Sequence, residues 1–136
     1  MPIKPENRSR YPKNWPEIVA GIRERAKNRC EVCGVQNYLV IKRLRSGWRT
    51  PGPQEWEMIH AKLMYGNYTM SQSLKFHGFV RIICTTAHLD HQPENCDPAN
   101  LKFLCQKCHN NYDKAHRVNT RRAEGLKNQM SLSFNN

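Results

Sequence analysis

Acidic side chains are scarce in this chain. There are 11 against 22 lysines and arginines, a formal net charge of +11 over 136 residues. Such a deficit makes a cationic partner unfavourable and favours a polyanion, most simply nucleic acid. No apolar run approaches the roughly 20 residues needed to span a bilayer, and no apolar signal-peptide core follows Met1. Membrane partners are therefore not expected, and a cytoplasmic location is. There are no internal repeats. At this length one compact domain with tails is the expectation.

What is present is unevenly placed. Residues 1–30 carry eight basic and three acidic side chains, whereas residues 85–113 carry two lysines and four acids. A locally acidic patch inside a basic protein suits a cation site flanked by phosphate-binding surfaces. Of the six cysteines, four form two Cys-x-x-Cys pairs, Cys30/Cys33 and Cys105/Cys108. That pattern points to metal in a reducing compartment more than to a disulfide frame. Four thiolates close a tetrahedral Zn²⁺ shell and leave no open position, so the expected role is structural. The competing reading is two separate redox or buried pairs. Cys84 and Cys96 are left over, as a buried small hydrophobe and a loop thiol.

Taken in order, residues 1–13 are polar, basic and interrupted by proline, and read as a loosely held arm. Asn14 is placed to cap a helix, with Pro16 tolerated in its first turn and Ile18, Val19, Ile22 and Ala26 on one face. Arg23, Arg25 and Lys27 fall more outward, as a solvated face or a DNA contact. Cys30 to Gly34 reads as a metal-binding knuckle. Tyr38 to Ile41 reads as a short strand. Residues 42–52 are basic and turn-rich, Pro53 to Met64 reads as a helix ended by Gly66 and Asn67, and 68–78 reads as a linker. Phe79 to Ile83 reads as a buried strand. Lys114 to Arg122 continues a helix that Gly125 is expected to break, and 126–136 reads as a tail.

The stretch Cys84 to Asp113 concentrates the chemistry. Asp90 and His91 follow the apolar strand, and neighbours on an extended chain point to opposite faces. Asn100 precedes a second apolar run, Leu101 to Leu104. On the helix opened by Cys105-Gln-Lys-Cys108, His109 and Asp113 are four apart and share a face. Asp90, His109 and Asp113 are candidate ligands of a second metal with open positions, although Asp113 could instead pair with Arg117 on the helix surface. His91 is a candidate general base, since an imidazole can accept a proton from water at working pH; a loop histidine or a further ligand is the alternative. His88 is a candidate to orient Asp90, and His116 and Arg117 to touch phosphate.

Asp90-His91-x-Pro93, Asn100-Leu101 and Cys105-x-x-Cys108-His109 resemble, in order and spacing, the HNH nuclease family, whose core is a ββα-metal finger. With Cys30-x-x-Cys33 included, the resemblance covers roughly residues 28 to 118. It implies an α+β fold: a small zinc-stapled, treble-clef-like ββα core at about 79–118 within a nuclease domain of 14–122. Residues 42–78 form an insert, 1–13 a basic arm and 123–136 a tail. It also implies a metal-dependent endodeoxyribonuclease leaving 3′-hydroxyl and 5′-phosphate ends, with His91 as base and Asn100 pinning the loop that holds His91. Mg²⁺ or Mn²⁺ suits the carboxylate-containing site, and the histidine would also accept Ni²⁺ or Zn²⁺. The alternatives are a non-catalytic zinc-dependent DNA-binding module or a clamp-tethered repair accessory. The last arises because Gln129-Met-Ser-Leu132-Ser-Phe134 resembles the peptide by which bacterial replication and repair proteins dock on the DNA sliding clamp.

Overall fold

The structure, a computed structural model, describes residues 3–133. A 3-10 turn at Pro5–Arg10 precedes helix α1 (Trp15–Arg25), which carries a proline in its first turn. Asn14 occupies the N-cap position without a side-chain cap bond. Ile22 is buried, and Trp15, Ile18 and Ala26 pack against the main core from the same helix face, as a 3.6-residue period requires. The arm before α1 is not loose. Arg10 forms a two-point contact with Glu94 (2.6 and 3.0 Å) and donates to Gln92 at 3.1 Å.

Strands β1 (Val40–Leu44), β2 (Gly47–Arg49) and β3 (Val80–Arg81) form an antiparallel sheet in the order β2-β1-β3. Between β2 and β3 the chain forms helices α2 (Pro53–Tyr65) and α3 (Met70–Phe76). The expected helix from Pro53 is present and ends at Gly66. The expected linker is instead largely α3. Thr69 Oγ1 accepts from the Gln72 amide at 3.3 Å while Gln72 Oε1 accepts from the Thr69 amide at 2.9 Å, a reciprocal cap that offsets the shortness of the helix. Ile59, Leu74 and Phe79 form a second small core. The buried Ser73 hydroxyl donates to the Ile59 carbonyl at 2.8 Å, binding α3 to α2.

The apolar run Phe79 to Ile83 is not one continuous strand. Val80 and Arg81 pair with β1, and the chain then changes sheets. Strand β4 (Cys84–His88) pairs antiparallel with β5 (Leu101–Cys105), in a register running from Cys84↔Cys105 to His88↔Leu101. Because β4 ends at His88, Asp90 and His91 lie in the following turn, where strand alternation no longer decides their directions. Helix α4 (Gln106–Ser133) follows β5 directly and passes through Gly125. One interior glycine costs about 1 kcal/mol relative to alanine, too little to end a helix of this length.

The main core joins α1 to both sheets through Ile22, Ile41, Ile82, Phe103 and Leu104. The architecture is therefore mixed α and β, small, and organised around the β4–β5–α4 unit. Among the described residues, no helix is long and apolar enough to cross a membrane.

Candidate metal centre and histidine site

The two Cys-x-x-Cys pairs meet. The sulfurs of Cys30, Cys33, Cys105 and Cys108 all lie within 4.8 Å of one another. The Cys33–Cys105 separation is 3.7 Å. A tetrahedron with metal–sulfur bonds of about 2.3 Å has edges of about 3.8 Å, so the spacing fits Zn²⁺ and is far too long for a disulfide. Local backbone builds each half. Gly34, at φ +75°, closes the first knuckle, and its amide donates to the Cys30 carbonyl at 2.9 Å. Cys105 ends β5, and Cys108 sits in the first turn of α4. Burial alone would raise the Cys30 thiol, but amides of Cys33, Cys105 and Val32 hold it down at about 7. Donors aimed at that sulfur favour the thiolate a metal requires.

Glu31, inside the first knuckle, connects the pairs. Its amide donates to the Phe103 carbonyl at 2.9 Å, and its carboxylate accepts from the Phe103 amide at 2.7 Å. Arg25 completes the junction, donating to Glu31 (2.9 and 3.1 Å), to the Pro98 carbonyl (2.8 Å) and to the Leu101 carbonyl (2.7 Å). Arg25 is thus a structural tie that still lies on the exposed side of α1. Cys84 is buried, and burial followed by the neighbouring thiols pushes it up to about 12. Cys96 donates to the Pro93 carbonyl at 3.3 Å.

A second cluster forms where the β4–β5 hairpin meets α4. Asp113 lies between two imidazoles: His91 Nε2 is 3.3 Å from Oδ1, and His109 Nε2 is 3.2 Å from Oδ2. The His109 Nδ1 shares a hydrogen bond with Thr85 Oγ1 at 3.1 Å. A hydroxyl can donate or accept, so Thr85 can hold this ring in either tautomer. Burial lowers the His109 pKa, keeping the ring neutral and suited to a metal. Arg117 reaches Asp113 at 3.9 Å but bonds Asn110 at 2.7 Å.

His91 has a left-handed backbone, φ +59°, which is strained for a residue with a Cβ. The surroundings hold it there. Its amide donates to the His88 carbonyl at 3.3 Å, its ring stacks on Tyr112, and the His116 ring lies 3.9 Å away, centre to centre. The Tyr112 hydroxyl donates to the Leu89 carbonyl, tying α4 to the same turn. Beyond its 3.3 Å approach to Asp113, the buried His91 Nε2 has no hydrogen-bond partner among the described residues. Thr85 and Tyr112 escaped the sequence analysis. Thr85 is 24 residues from His109, and only the strand pairing brings them together.

Asp90 stands apart from this cluster. Its carboxylate accepts from Asn95 Nδ2 (2.8 Å), from the Gln92 amide (2.9 Å) and from Asn100 Nδ2 (2.9 Å). These bonds hold its pKa down at about 2, Asn95 contributing most. They are fully present above the ordinary carboxylate range and are lost as pH falls from about 4 toward 2. Asn100 also accepts from the Asp90 amide at 3.2 Å and donates to the Asn95 carbonyl at 2.9 Å. It therefore pins both arms of the 89–100 loop. His88 does not orient Asp90; its ring stacks on Trp15, with Tyr11 edge-on, and burial lowers its pKa. Among the described residues, Asp90, His109 and Asp113 are not brought within metal-sharing distance of one another.

A cavity of about 510 Å³ opens beside the histidines. Lys4, Asn7 and Tyr11 of the arm and Arg23 of α1 face it from one side; His91, His109 and Asp113 line the other. In the tail, Gln129 and Leu132 are exposed on α4, and Phe134 lies outside the described residues. No family model, curated protein or solved structure matches the chain.

Proposed function

We propose that this protein is a metal-dependent DNA endonuclease of the HNH type, with the cysteine cluster holding a structural zinc. The observation that carries the reading is the convergence of His91 and His109 on the Asp113 carboxylate, on a strand–strand–helix unit whose connecting loop is pinned by Asn100. A purely structural zinc module has no use for this second cluster. The net charge of +11 supports a polyanionic substrate.

His109 and Asp113 are the pair proposed to hold a divalent cation, and Asp90 is engaged instead with Asn95 and Asn100. Such a cation, when bound, supplies Lewis-acid activation of the scissile phosphate. His91, whose ring stands beside the Asp113 carboxylate, accepts the proton of the attacking water. Thr85 fixes the His109 ring, and Tyr112 and Asn100 fix the His91 turn. The proposed products carry 3′-hydroxyl and 5′-phosphate ends. A second reading makes His91 a ligand in place of Asp90, favoured by its 3.3 Å approach to Asp113. The test incubates purified protein with supercoiled plasmid in Mg²⁺, Mn²⁺ or Ni²⁺, with chelator controls. Metal-dependent conversion to nicked or linear DNA is expected. Binding without cleavage under every metal would leave a zinc-dependent DNA-binding module instead.

A further inference from the structure

The β1–β2 hairpin belongs to neither site, yet it concentrates unneutralised charge. From Val32 to Gln54 there is no acidic residue, and the four bases of that span, Lys42, Arg43, Arg45 and Arg49, all lie on or at the tip of the hairpin. Its cross-strand register separates them by face. Lys42 is opposite Arg49, and Arg43 is opposite Trp48; adjacent pairs point to opposite sides of a ribbon. The Lys42–Arg49 face is used internally. Both cations lie over the Phe79 ring, at 5.0 and 5.4 Å, and Arg49 makes a two-point contact with Glu55 (2.6 and 3.0 Å) at the start of α2. That arrangement anchors the hairpin to the second core and makes it stiff.

The other face is built differently. It starts at the fully buried Ile41 and emerges at Arg43. The side chains of Arg43 and Arg45 are exposed and make no hydrogen bond or ion pair among the described residues, and Trp48 is 48% exposed. An indole held out beside two unneutralised guanidinium groups contributes little to folding. We infer that the outer face of this hairpin, Arg43 and Trp48, together with Arg45 in the turn at its tip, is a docking ribbon for duplex DNA. A two-stranded ribbon fits the major groove, guanidinium groups bind the flanking phosphates, and the ring packs on the sugar–base wall. The inference rests on DNA as the substrate of the site proposed above, and assigns to Arg43, Arg45 and Trp48 the task of holding the duplex.

Binding of a labelled duplex oligonucleotide and of one of its strands alone is measured by fluorescence anisotropy across a salt series, with no divalent metal added. Wild type is compared with R43Q/R45Q and with W48A; zinc content and circular dichroism establish that each is folded. The double variant should bind duplex more weakly, with a log–log salt slope shallower by about 1.8, since two phosphate contacts are lost at about 0.9 each. W48A should weaken duplex binding with little change in slope, as the ring carries no charge. An unchanged slope and affinity for R43Q/R45Q overturns the inference, as does an equal loss on single strands or a wild type that does not bind duplex. Hairpin-dependent binding by a protein that cleaves nothing would sustain the ribbon and sink the nuclease reading.

Discussion

Asn100 shows how much one side chain can fix. Its amide bonds both the Asp90 carboxylate and the Asn95 carbonyl, while its oxygen takes the Asp90 amide. Asn100→Ala should therefore destabilise the protein, since the loop loses the bonds that hold its two arms, measured by urea denaturation. It should also reduce turnover while zinc content stays at one per chain. Equal stability of variant and wild type would show that the loop is held by its other contacts. The residue types and spacing of this loop were legible in the sequence, but the direction of Asp90 was not. Alternation holds only along a strand, and β4 stops two residues before Asp90. Arg25 does lie on the exposed side of α1, but the bonds it makes across to the β4–β5 hairpin were not legible. Helical period places a side chain on a face but does not reveal that Pro98 and Leu101 present carbonyls to it.

At the scale of elements, the knuckle Cys30–Gly34 and the β5–α4 junction are each too short to be stable alone. They are connected by Glu31 and Arg25 and, when metal is present, by four thiolates. Removing zinc with a strong chelator, or substituting Cys30→Ser or Cys105→Ser, should abolish cooperative unfolding, since structural-zinc binding energy is folding energy in domains this small. Metal analysis of the purified protein should give one zinc per chain. A zinc-free protein with native circular dichroism would contradict this. Helix α3 was legible in principle: Thr69-x-x-Gln72 is a reciprocal cap motif, but the segment after it is too short for periodicity to show. The persistence of α4 through Gly125 was missed because a glycine was weighed as a breaker, when its cost is small against a long run of strong helix formers. The switch of Phe79–Ile83 between two sheets has no local signature, since both halves are equally apolar.

For the whole molecule, the net charge is +11, and Lys4 and Arg23 line the same cavity as His91, His109 and Asp113. The tail tests whether the molecule also docks elsewhere. A pull-down with bacterial sliding clamp should retain the intact chain and lose the Gln129→Ala and Leu132→Ala/Phe134→Ala variants, with plasmid cleavage unchanged; failure of the intact chain to bind removes the clamp from the account. The central claim is that His91 moves a proton beside a metal held by His109 and Asp113. Its most direct test is the rate of plasmid cleavage against Mn²⁺ or Mg²⁺ concentration for wild type, His91→Ala and His109→Ala. Wild type should cleave. His109→Ala should recover partly as metal rises. His91→Ala should stay about 10²–10⁴-fold slower at every concentration, as expected for a lost general base. Full activity of His91→Ala, its rescue by metal, or a wild type inert at all metal concentrations would contradict the account.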